Sequence, residues 1–168
     1  SDGFLHFSDN EITDSQSGND AIIDLNGVDI FHNNKVSNII HSQNILLINT
    51  DSDSISIFNN SITDIIYTDK LVYLDGQNIS FHENIINNGS GCQSGQPGLY
   101  INSASGISSV TNNQITHINE GSQGTFGGGI YVEYADSLII KENQIAFCSG
   151  TSKGGGILVN DGIVEIIQ

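Results

Sequence analysis

Carboxylates are the side chains most able to do chemistry in this chain, which carries 19 Asp and Glu residues against 4 Lys and Arg. They stand close together in the run DSDS at 51–54 and in the Asp-Gly pairs that begin at Asp75 and Asp161. Carboxylate oxygens are ligands that Ca²⁺ prefers, but neither the EF-hand spacing nor a nonapeptide G-G-x-G-x-D repeat occurs. We therefore expect no cofactor beyond weak surface calcium, and solvated loops at these acids.

Histidines at positions 6, 32, 41, 82 and 117 are the other candidate metal ligands. His32 and His82 hold the same position of the repeat described below, but a copy with Phe58 in that place lies between them. Stacked strands are about 4.8 Å apart, so about 10 Å would separate the two rings, and we predict no metal site. The cysteines, Cys92 and Cys148, are too few for a fold built on disulfides, but a bond between them is a candidate.

The strongest pattern in the chain is a repeat of an apolar residue, two polar residues, Asn, any residue, and then Ile or Val. Its copies follow one another at spacings of 24, 26, 24, 29 and 30 residues. A second apolar run, such as AIIDL, KLVYL, GLYI or GGGIYV, precedes each later anchor, so each period should hold about three short strands. The anchors are Asn10, Asn34, Asn60, Asn84, Asn113 and Asn143.

A period of 24–30 residues is too short to bury its own apolar face, so the copies must stack on one another. Stacking places the anchors in one column, where successive Asn side chains satisfy one another's buried amide groups. The sequence thus predicts an all-β parallel β-helix of about 6–7 coils with an Asn ladder at one corner. We expect a single domain over residues 1–168, a segment of a longer β-helix that lacks native caps.

The alternation of FxxN with GGGI, as in FHNN at 31–34 and GGGI at 127–130, resembles the repeats of the polymorphic membrane protein family of bacterial autotransporter adhesins. It is also similar to right-handed β-helix repeat proteins generally. The resemblance covers nearly the whole chain, although the glycine triplet occurs only in the last two coils. It implies a right-handed helix and an adhesive role, and it transfers no catalytic residue. We interpret the glycines as a tight turn that leads into the first strand of a coil.

Enzymes with this pectin lyase-like fold provide the alternative function. The run NTD at 49–51 is similar to one element of pectin-cleaving glycosidases, in which paired Asp residues act as acid and base. The Asp pair, Gly-His-Gly and Arg-x-Lys of those enzymes are absent from the sequence. Polysaccharide lyases use an Arg or Lys base, which here would have to be Lys35, Lys70, Lys141 or Lys153. None of these stands in an acidic cluster of the sequence, so a carbohydrate-active enzyme is kept as the alternative hypothesis.

Sequons of the type Asn-x-Ser mark candidate N-glycosylation acceptors at Asn88, Asn59 and Asn78. Asn88 has the most loop-like context, NNGSGCQSGQPG. That loop and NEGSQGTFGGG lengthen the later coils, and insertions of this kind often form the binding face of a solenoid.

A net charge of −15 makes nucleic acids and anionic membranes poor partners, because polyanion binding needs cationic side chains. No apolar run is long enough to span a membrane. We expect a non-catalytic structural or adhesive module, a stiff rod or filament subunit that presents loops outside the cell or on its surface. Its partners would be further copies or neighbouring β-helix segments, and host or matrix glycans or proteins.

Overall fold

The computed structural model describes residues 5–16, 21–27, 29–42, 44–49, 54–67, 70–91, 97–119, 128–150 and 155–168. These residues form eighteen β-strands and no helix. Every strand pair among them is parallel. The predicted all-β parallel β-helix is therefore confirmed.

The strands stack in three ladders, and each turn of the solenoid gives one strand to each ladder. The first ladder contains β1 (His6–Ser8), β4 (Ile30–His32), β7 (Ile55–Phe58), β10 (Ile79–His82), the second half of β12 (Leu99–Thr111), β15 (Ala135–Lys141) and β18 (Val164–Ile167). The second ladder contains β2 (Glu11–Thr13), β5 (Lys35–Ser42), β8 (Ser61–Tyr67), β11 (Ile85–Gly91), β13 (Gln114–Asn119) and β16 (Gln144–Ala146). The third ladder contains β3 (Ile23–Asn26), β6 (Leu46–Asn49), β9 (Val72–Gln77), the first half of β12, β14 (Ile130–Val132) and β17 (Ile157–Val159).

Strand β12 is long because it runs through two ladders. Its first half pairs with β9 and β14, and its second half pairs with β10 and β15. The first and third ladders thereby merge into one 12-stranded sheet, while the second is a separate 6-stranded sheet. The strands make about five turns, fewer than the 6–7 coils that the repeats predict. Six anchors enclose only five complete periods, and a turn is complete only when the chain returns above its starting strand.

The register keeps one kind of side chain in each buried column. In the first ladder Ile57 lies between Phe31 and Phe81, and in the second Val36 lies opposite Ile62. These side chains are at most 2% exposed and belong to one core that continues through the turns. Full burial of a side chain of this size contributes about 1.5–3 kcal/mol. One period of the sequence therefore corresponds to one turn of the solenoid, and equivalent apolar side chains stack on one another in the core.

Two columns of left-handed residues turn the chain at either side of the Asn anchors. One column stands directly before each anchor and the other stands four residues after it, and all twelve residues have φ of 53–58°. Asn and Asp tolerate this conformation better than other non-glycine residues, which accounts for part of the chain's high Asn content. The left-handed residues are Asp9, Asp14, Asn33, Asn38, Asn59, Asp64, Glu83, Asn88, Asn112, His117, Glu142 and Phe147.

Replacing Glu83 with Asn should raise the free energy of unfolding by about 0.5–1 kcal/mol. Glu83 has a φ of 57°, which strains a Glu side chain more than an Asn. Asn33 and Asn59 occupy the same position in neighbouring turns. Urea unfolding measures the change, with Glu165→Asn as the control because Glu165 is exposed in β18 and lies outside the left-handed columns. An equal or smaller gain at Glu83 than at Glu165 would contradict the strain argument.

Close approach of successive turns accounts for three of the described glycines in the two triplets. Gly128, Gly129, Gly155 and Gly156 are not among the residues with positive φ. A Cβ on Gly129 would lie 2.6 Å from the carbonyl oxygen of Gly156, and one on Gly155 would lie 2.4 Å from that of Cys148. The lack of space for a Cβ therefore explains glycine at 128, 129 and 155, whereas a Cβ on Gly156 would have no atom within 4 Å.

Candidate functional site

The anchor asparagines stand in one column at the corner between the first and second ladders, which we call the Asn ladder. Each Nδ2 except that of Asn143 donates a hydrogen bond of 2.8–3.1 Å to the Oδ1 of the Asn one turn later. That Oδ1 also accepts from the backbone N–H of the earlier Asn at 2.9–3.1 Å. The Asn ladder consists of Asn10, Asn34, Asn60, Asn84, Asn113 and Asn143.

The middle of the Asn ladder is buried, and Asn34, Asn60, Asn84 and Asn113 are only 2–3% exposed. Every Nδ2 in the ladder also donates to the carbonyl oxygen two residues earlier, at 2.8–3.0 Å. A buried amide left without a partner costs about 1–3 kcal/mol. Because these amides already have partners, the ladder holds the turns together and offers little to a ligand.

Aromatic and imidazole rings stack on the outer face of the first ladder. The ring centroids are 4.7 Å apart for His6 and His32, 4.6 Å for His32 and Phe58, and 5.1 Å for Phe58 and His82. The Phe58 ring therefore separates His32 from His82, whereas His6 and His32 bring their Nε2 atoms within 2.5 Å of each other. The sequence repeat did not predict the contact between His6 and His32, because the two residues hold different positions of the repeat. His6 stands four residues before its anchor, and His32 stands two residues before its own.

The third ladder carries a different outward surface, made of two parallel columns. The first column is in register across successive strands and is apolar or aromatic in all but its first member. The second column stands two residues after the first in each turn and consists of amides and carboxylates. We call the two columns together the tyrosine face; the first consists of Asp24, Leu47, Tyr73, Tyr100, Tyr131 and Leu158, and the second of Asn26, Asn49, Asp75, Asn102, Glu133 and Asn160.

Three tyrosine rings form the centre of the tyrosine face. The centroids of Tyr73 and Tyr100 are 5.6 Å apart and the rings are stacked, while Tyr131 meets Tyr100 edge-on at 4.9 Å. The ammonium group of Lys70 lies 5.4 Å from the Tyr73 centroid and 5.2 Å from the Tyr100 centroid. Tyr100 and Tyr131 are 8% and 2% exposed, whereas Tyr73 is half-buried. The face is thus open at Tyr73 and closed at Tyr131.

The carboxylates of the tyrosine face are held by neighbouring donors. Glu133 accepts from the hydroxyl groups of Tyr131 and, at 3.3 Å, Tyr100, and from Asn160 Nδ2 at 3.3 Å. Asp75 Oδ2 accepts from Asn102 Nδ2 at 2.8 Å, and it lies 3.4 Å from the hydroxyl of Tyr73. Charge-assisted hydrogen bonds of this kind are stronger than neutral ones. They fix the orientation of both carboxylates on the sheet.

The Tyr131 hydroxyl has a raised pKa, because burial disfavours the phenolate and Glu133 both accepts its hydrogen bond and repels its negative charge. A group with a raised folded-state pKa stabilises the protein below its unfolded pKa, about 10 for Tyr, and loses that contribution as pH rises through the folded value. The contribution of Tyr131 is therefore complete at neutral pH and is lost only in strong alkali.

Replacing Glu133 with Gln should move the ionisation of Tyr131 to lower pH and lower the free energy of unfolding at neutral pH by about 1–2 kcal/mol. An alkaline titration followed by tyrosinate absorbance measures the first effect, and urea unfolding the second. Glu165→Gln is the matched control, since Glu165 is exposed in β18. A titration curve that Glu133→Gln leaves unchanged would contradict the assigned hydrogen bond.

The sequence did not reveal the tyrosine face, because its tyrosines lie inside the apolar runs KLVYL, GLYI and GGGIYV. Strand parity was the available signal: Tyr73 stands between Val72 and Leu74, which are 0% exposed, and so points to the opposite side of the strand. Lys70 lies over the rings of Tyr73 and Tyr100. Of the described lysines, Lys35 and Lys141 form exposed pairs with Glu11 and Glu142 at 2.6 and 3.2 Å.

The three sequon asparagines have different surroundings, although all of them are exposed. Asn78 accepts a hydrogen bond from the backbone N–H of Ile107 at 3.0 Å. Asn88 donates to Asp64 Oδ1 at 2.7 Å. Asn59 makes no side-chain hydrogen bond among the described residues, so none of these has to break before its amide nitrogen is modified. Glycosylation itself stays a prediction.

The proposed disulfide concerns one described residue. Cys148 is half-buried, with its Sγ 3.4 Å from the carbonyl oxygen of Ala146 and 3.5 Å from that of Ile115. Burial raises the pKa of its thiol. Cys92 lies outside the described residues, as do residues 50–53, which contain most of the NTD and DSDS runs, and Lys153. The bond between the cysteines stays a prediction.

Within the described part of the chain, no three His, Cys, Asp or Glu side chains form a group that could hold a metal ion. His117 stacks on Phe147 at 4.8 Å, and the side chain of His41 lies outside the described residues. The same residues contain no helix with the length and apolar character needed to cross a membrane.

Fold and site together define the chain as a parallel β-solenoid protein with an Asn ladder and an outward tyrosine face. Comparison with models of protein families, with curated proteins and with solved structures found no match.

Proposed function

We propose that the chain is a non-catalytic structural and adhesive module of an extracellular or cell-surface protein, a stiff rod or filament subunit. The continuous stacking carries this proposal: the same buried columns and the Asn ladder pass through successive turns, so bending the axis would break several hydrogen bonds at once. A rod of this kind holds its outward side chains and its loops at fixed spacing. That arrangement suits adhesion to an extended or repetitive partner.

The location and the partners of the proposed module have support from the sequence. The FxxN and GGGI repeats resemble those of the polymorphic membrane protein adhesins, and the net charge of −15 favours solubility over contact with anionic surfaces. We propose host or matrix glycans or proteins as partners of the outward surfaces. Self-association or contact with neighbouring β-helix segments would extend the rod, because a solenoid grows by stacking equivalent turns.

A carbohydrate-active enzyme is the second candidate, and the pair Asp75 and Glu133 favours it. Both carboxylates lie on the tyrosine face with one turn between them, so their backbones are about 10 Å apart by strand spacing. Inverting glycosidases place their acid and base about 6.5–9.5 Å apart. Glu133, however, already accepts hydrogen bonds from two tyrosines and Asn160, which suits a fixed acceptor better than a proton donor.

One set of measurements separates the two candidates. The full chain is incubated with a panel of polysaccharides, with and without calcium, and both binding and release of shorter products are measured. Negative-stain electron microscopy at increasing protein concentration tests for rods and end-to-end association. Binding without cleavage, together with rod-shaped particles, is the expected result. Turnover of any polysaccharide that Asp75→Asn and Glu133→Gln abolish would overturn the non-catalytic proposal in favour of the enzyme.

A further inference from the structure

We propose that the open half of the tyrosine face binds an uncharged, hydroxyl-rich polysaccharide, laid across Leu47 and Tyr73 and beside Asn49, Asp75 and Asn102. The inference rests on the proposed adhesive function and gives its partner a chemical class.

Leu47 and Tyr73 form an apolar floor. They are opposite each other in the parallel register of β6 and β9, and both are half-buried, so that part of each side chain meets solvent. The Tyr73 ring is held by Tyr100, at 5.6 Å, and by the ammonium group of Lys70, at 5.4 Å from its centroid. Sugar rings have an apolar face of C–H groups, and a rigid aromatic ring gives such a face large contact area at low entropic cost.

The polar column beside this floor has hydrogen-bonding groups to spare. Asp75 accepts both of its described side-chain hydrogen bonds through Oδ2, which leaves Oδ1 without a described donor. Asn49 is exposed and its amide makes no hydrogen bond among the described residues. Asn102 uses only its Nδ2, as a donor to Asp75. Free carboxylate and amide oxygens together with free amide N–H groups match a ligand whose hydroxyls both donate and accept.

Charge decides the class of glycan. The face carries Asp24, Asp75 and Glu133 against Lys70, and the whole chain has a net charge of −15, so uronic acid and sulfated polymers would be repelled. A cationic amino-sugar polymer would be attracted to carboxylates over the whole surface and would not select this face. An uncharged glycan is neither repelled by the carboxylates nor attracted to them elsewhere on the surface. Its affinity therefore depends on ring packing and hydrogen bonds.

The stacking of turns also predicts a preference for polymers. Successive turns place equivalent side chains about 4.8 Å apart along the axis, so a chain of sugars meets the apolar floor and the polar column in more than one turn. A single sugar meets them once. We therefore expect a hexasaccharide to bind at least about tenfold more tightly than a disaccharide of the same linkage.

The test titrates the full chain with neutral hexasaccharides of β-1,4-linked glucose, mannose and xylose, and with hexamers of galacturonate and of glucosamine. The chain has no Trp, and three of its 5 Tyr lie on the tyrosine face, so tyrosine fluorescence detects binding there, and calorimetry gives the affinity. We expect at least one neutral hexasaccharide to bind, and Tyr73→Ala to weaken it by at least about tenfold. Asp75→Asn preserves shape and should weaken it by about three- to tenfold.

Phe58→Ala is the matched control, because it removes a half-buried outward ring from the first ladder and not from the tyrosine face. This variant should bind the glycan as the unchanged chain does. Thermal unfolding confirms that each variant folds. Neutral binding that both Tyr73→Ala and Asp75→Asn leave intact would overturn the assigned location. Binding of galacturonate alone, or of glucosamine alone with loss in high salt, would overturn the uncharged class. If no glycan binds while rods are seen, the inference fails and the structural role survives; if a bound neutral glycan is cleaved, the inference survives and the non-catalytic role fails.

Discussion

Replacing Asn84 with Ala should lower the free energy of unfolding by about 3–5 kcal/mol. The side chain is 2% exposed, and its Nδ2 lies 3.0–3.1 Å from the acceptors Ile57 O, His82 O and Asn113 Oδ1. Its Oδ1 accepts from the backbone N–H and the Nδ2 of Asn60, at 3.0 and 2.9 Å. Alanine removes all of these contacts and leaves their partners buried, away from water that could replace them.

Two further alanine variants make the prediction for the Asn ladder specific. Asn49→Ala applies the same chemical change to an exposed Asn of β6 and should cost less than about 0.5 kcal/mol. Asn10→Ala should fall between the two, since Asn10 donates to Ser8 and Asn34 but accepts nothing through its own Oδ1 among the described residues. Urea unfolding of the three variants gives the order. Equal losses for Asn84→Ala and Asn49→Ala would show that the ladder does not stabilise the fold.

The fold could be predicted because Asn and two inward apolar positions recur at fixed offsets in every copy of the repeat. Phe31, Asn34 and Val36 illustrate this: an inward apolar side chain, a corner amide and an inward aliphatic side chain appear at fixed offsets in each copy. In a parallel ladder the neighbour of each side chain is its counterpart one turn away, so a repeat in sequence becomes a contact in space. The predicted number of turns was too high, because the number of anchors exceeds the number of complete periods between them.

The tyrosine face could not be predicted in the same way, because its residues are only partly repeated. Tyr73, Tyr100 and Tyr131 come from three turns, but Leu47 and Leu158 hold the same place in the turns on either side. Tyrosine is also compatible with either side of a strand, since its ring is apolar and its hydroxyl polar. The position of Asn102 beside Asp75 depends on a bulge between Ile101 and Ser103, which no pattern of residue types indicates.

Asparagine has three roles in this chain, and burial and backbone conformation distinguish them. Asn84 is buried in the Asn ladder, Asn59 has a left-handed backbone at a corner, and Asn49 faces outward on an ordinary strand. The first role stabilises the stack, the second turns the chain, and the third leaves an amide free for a ligand. A high Asn content therefore indicates a solenoid only when its spacing is known, and a binding surface only when its exposure is known.

Replacing Gly129 with Ala should lower the free energy of unfolding by about 2–3 kcal/mol. The new Cβ would lie 2.6 Å from Gly156 O and 2.7 Å from Ile145 Cγ2. That carbonyl oxygen accepts the hydrogen bond of the Ile130 N–H at 2.9 Å, so moving it away from the Cβ weakens the pairing of β14 with the next turn. The methyl group thus forces either a clash or the loss of a ladder hydrogen bond.

Gly156→Ala is a control at the same place of the repeat, one turn later. A Cβ there has no atom within 4 Å, and Gly156 is not among the residues with positive φ. The free energy of unfolding should therefore change by less than about 0.5 kcal/mol, or rise slightly because alanine restricts the unfolded chain. Urea unfolding of the two variants compares one substitution in two environments. If the two substitutions lower the free energy of unfolding equally, glycine is needed for the backbone conformation of the turn. The close approach of Gly129 to Gly156 would then not explain the loss.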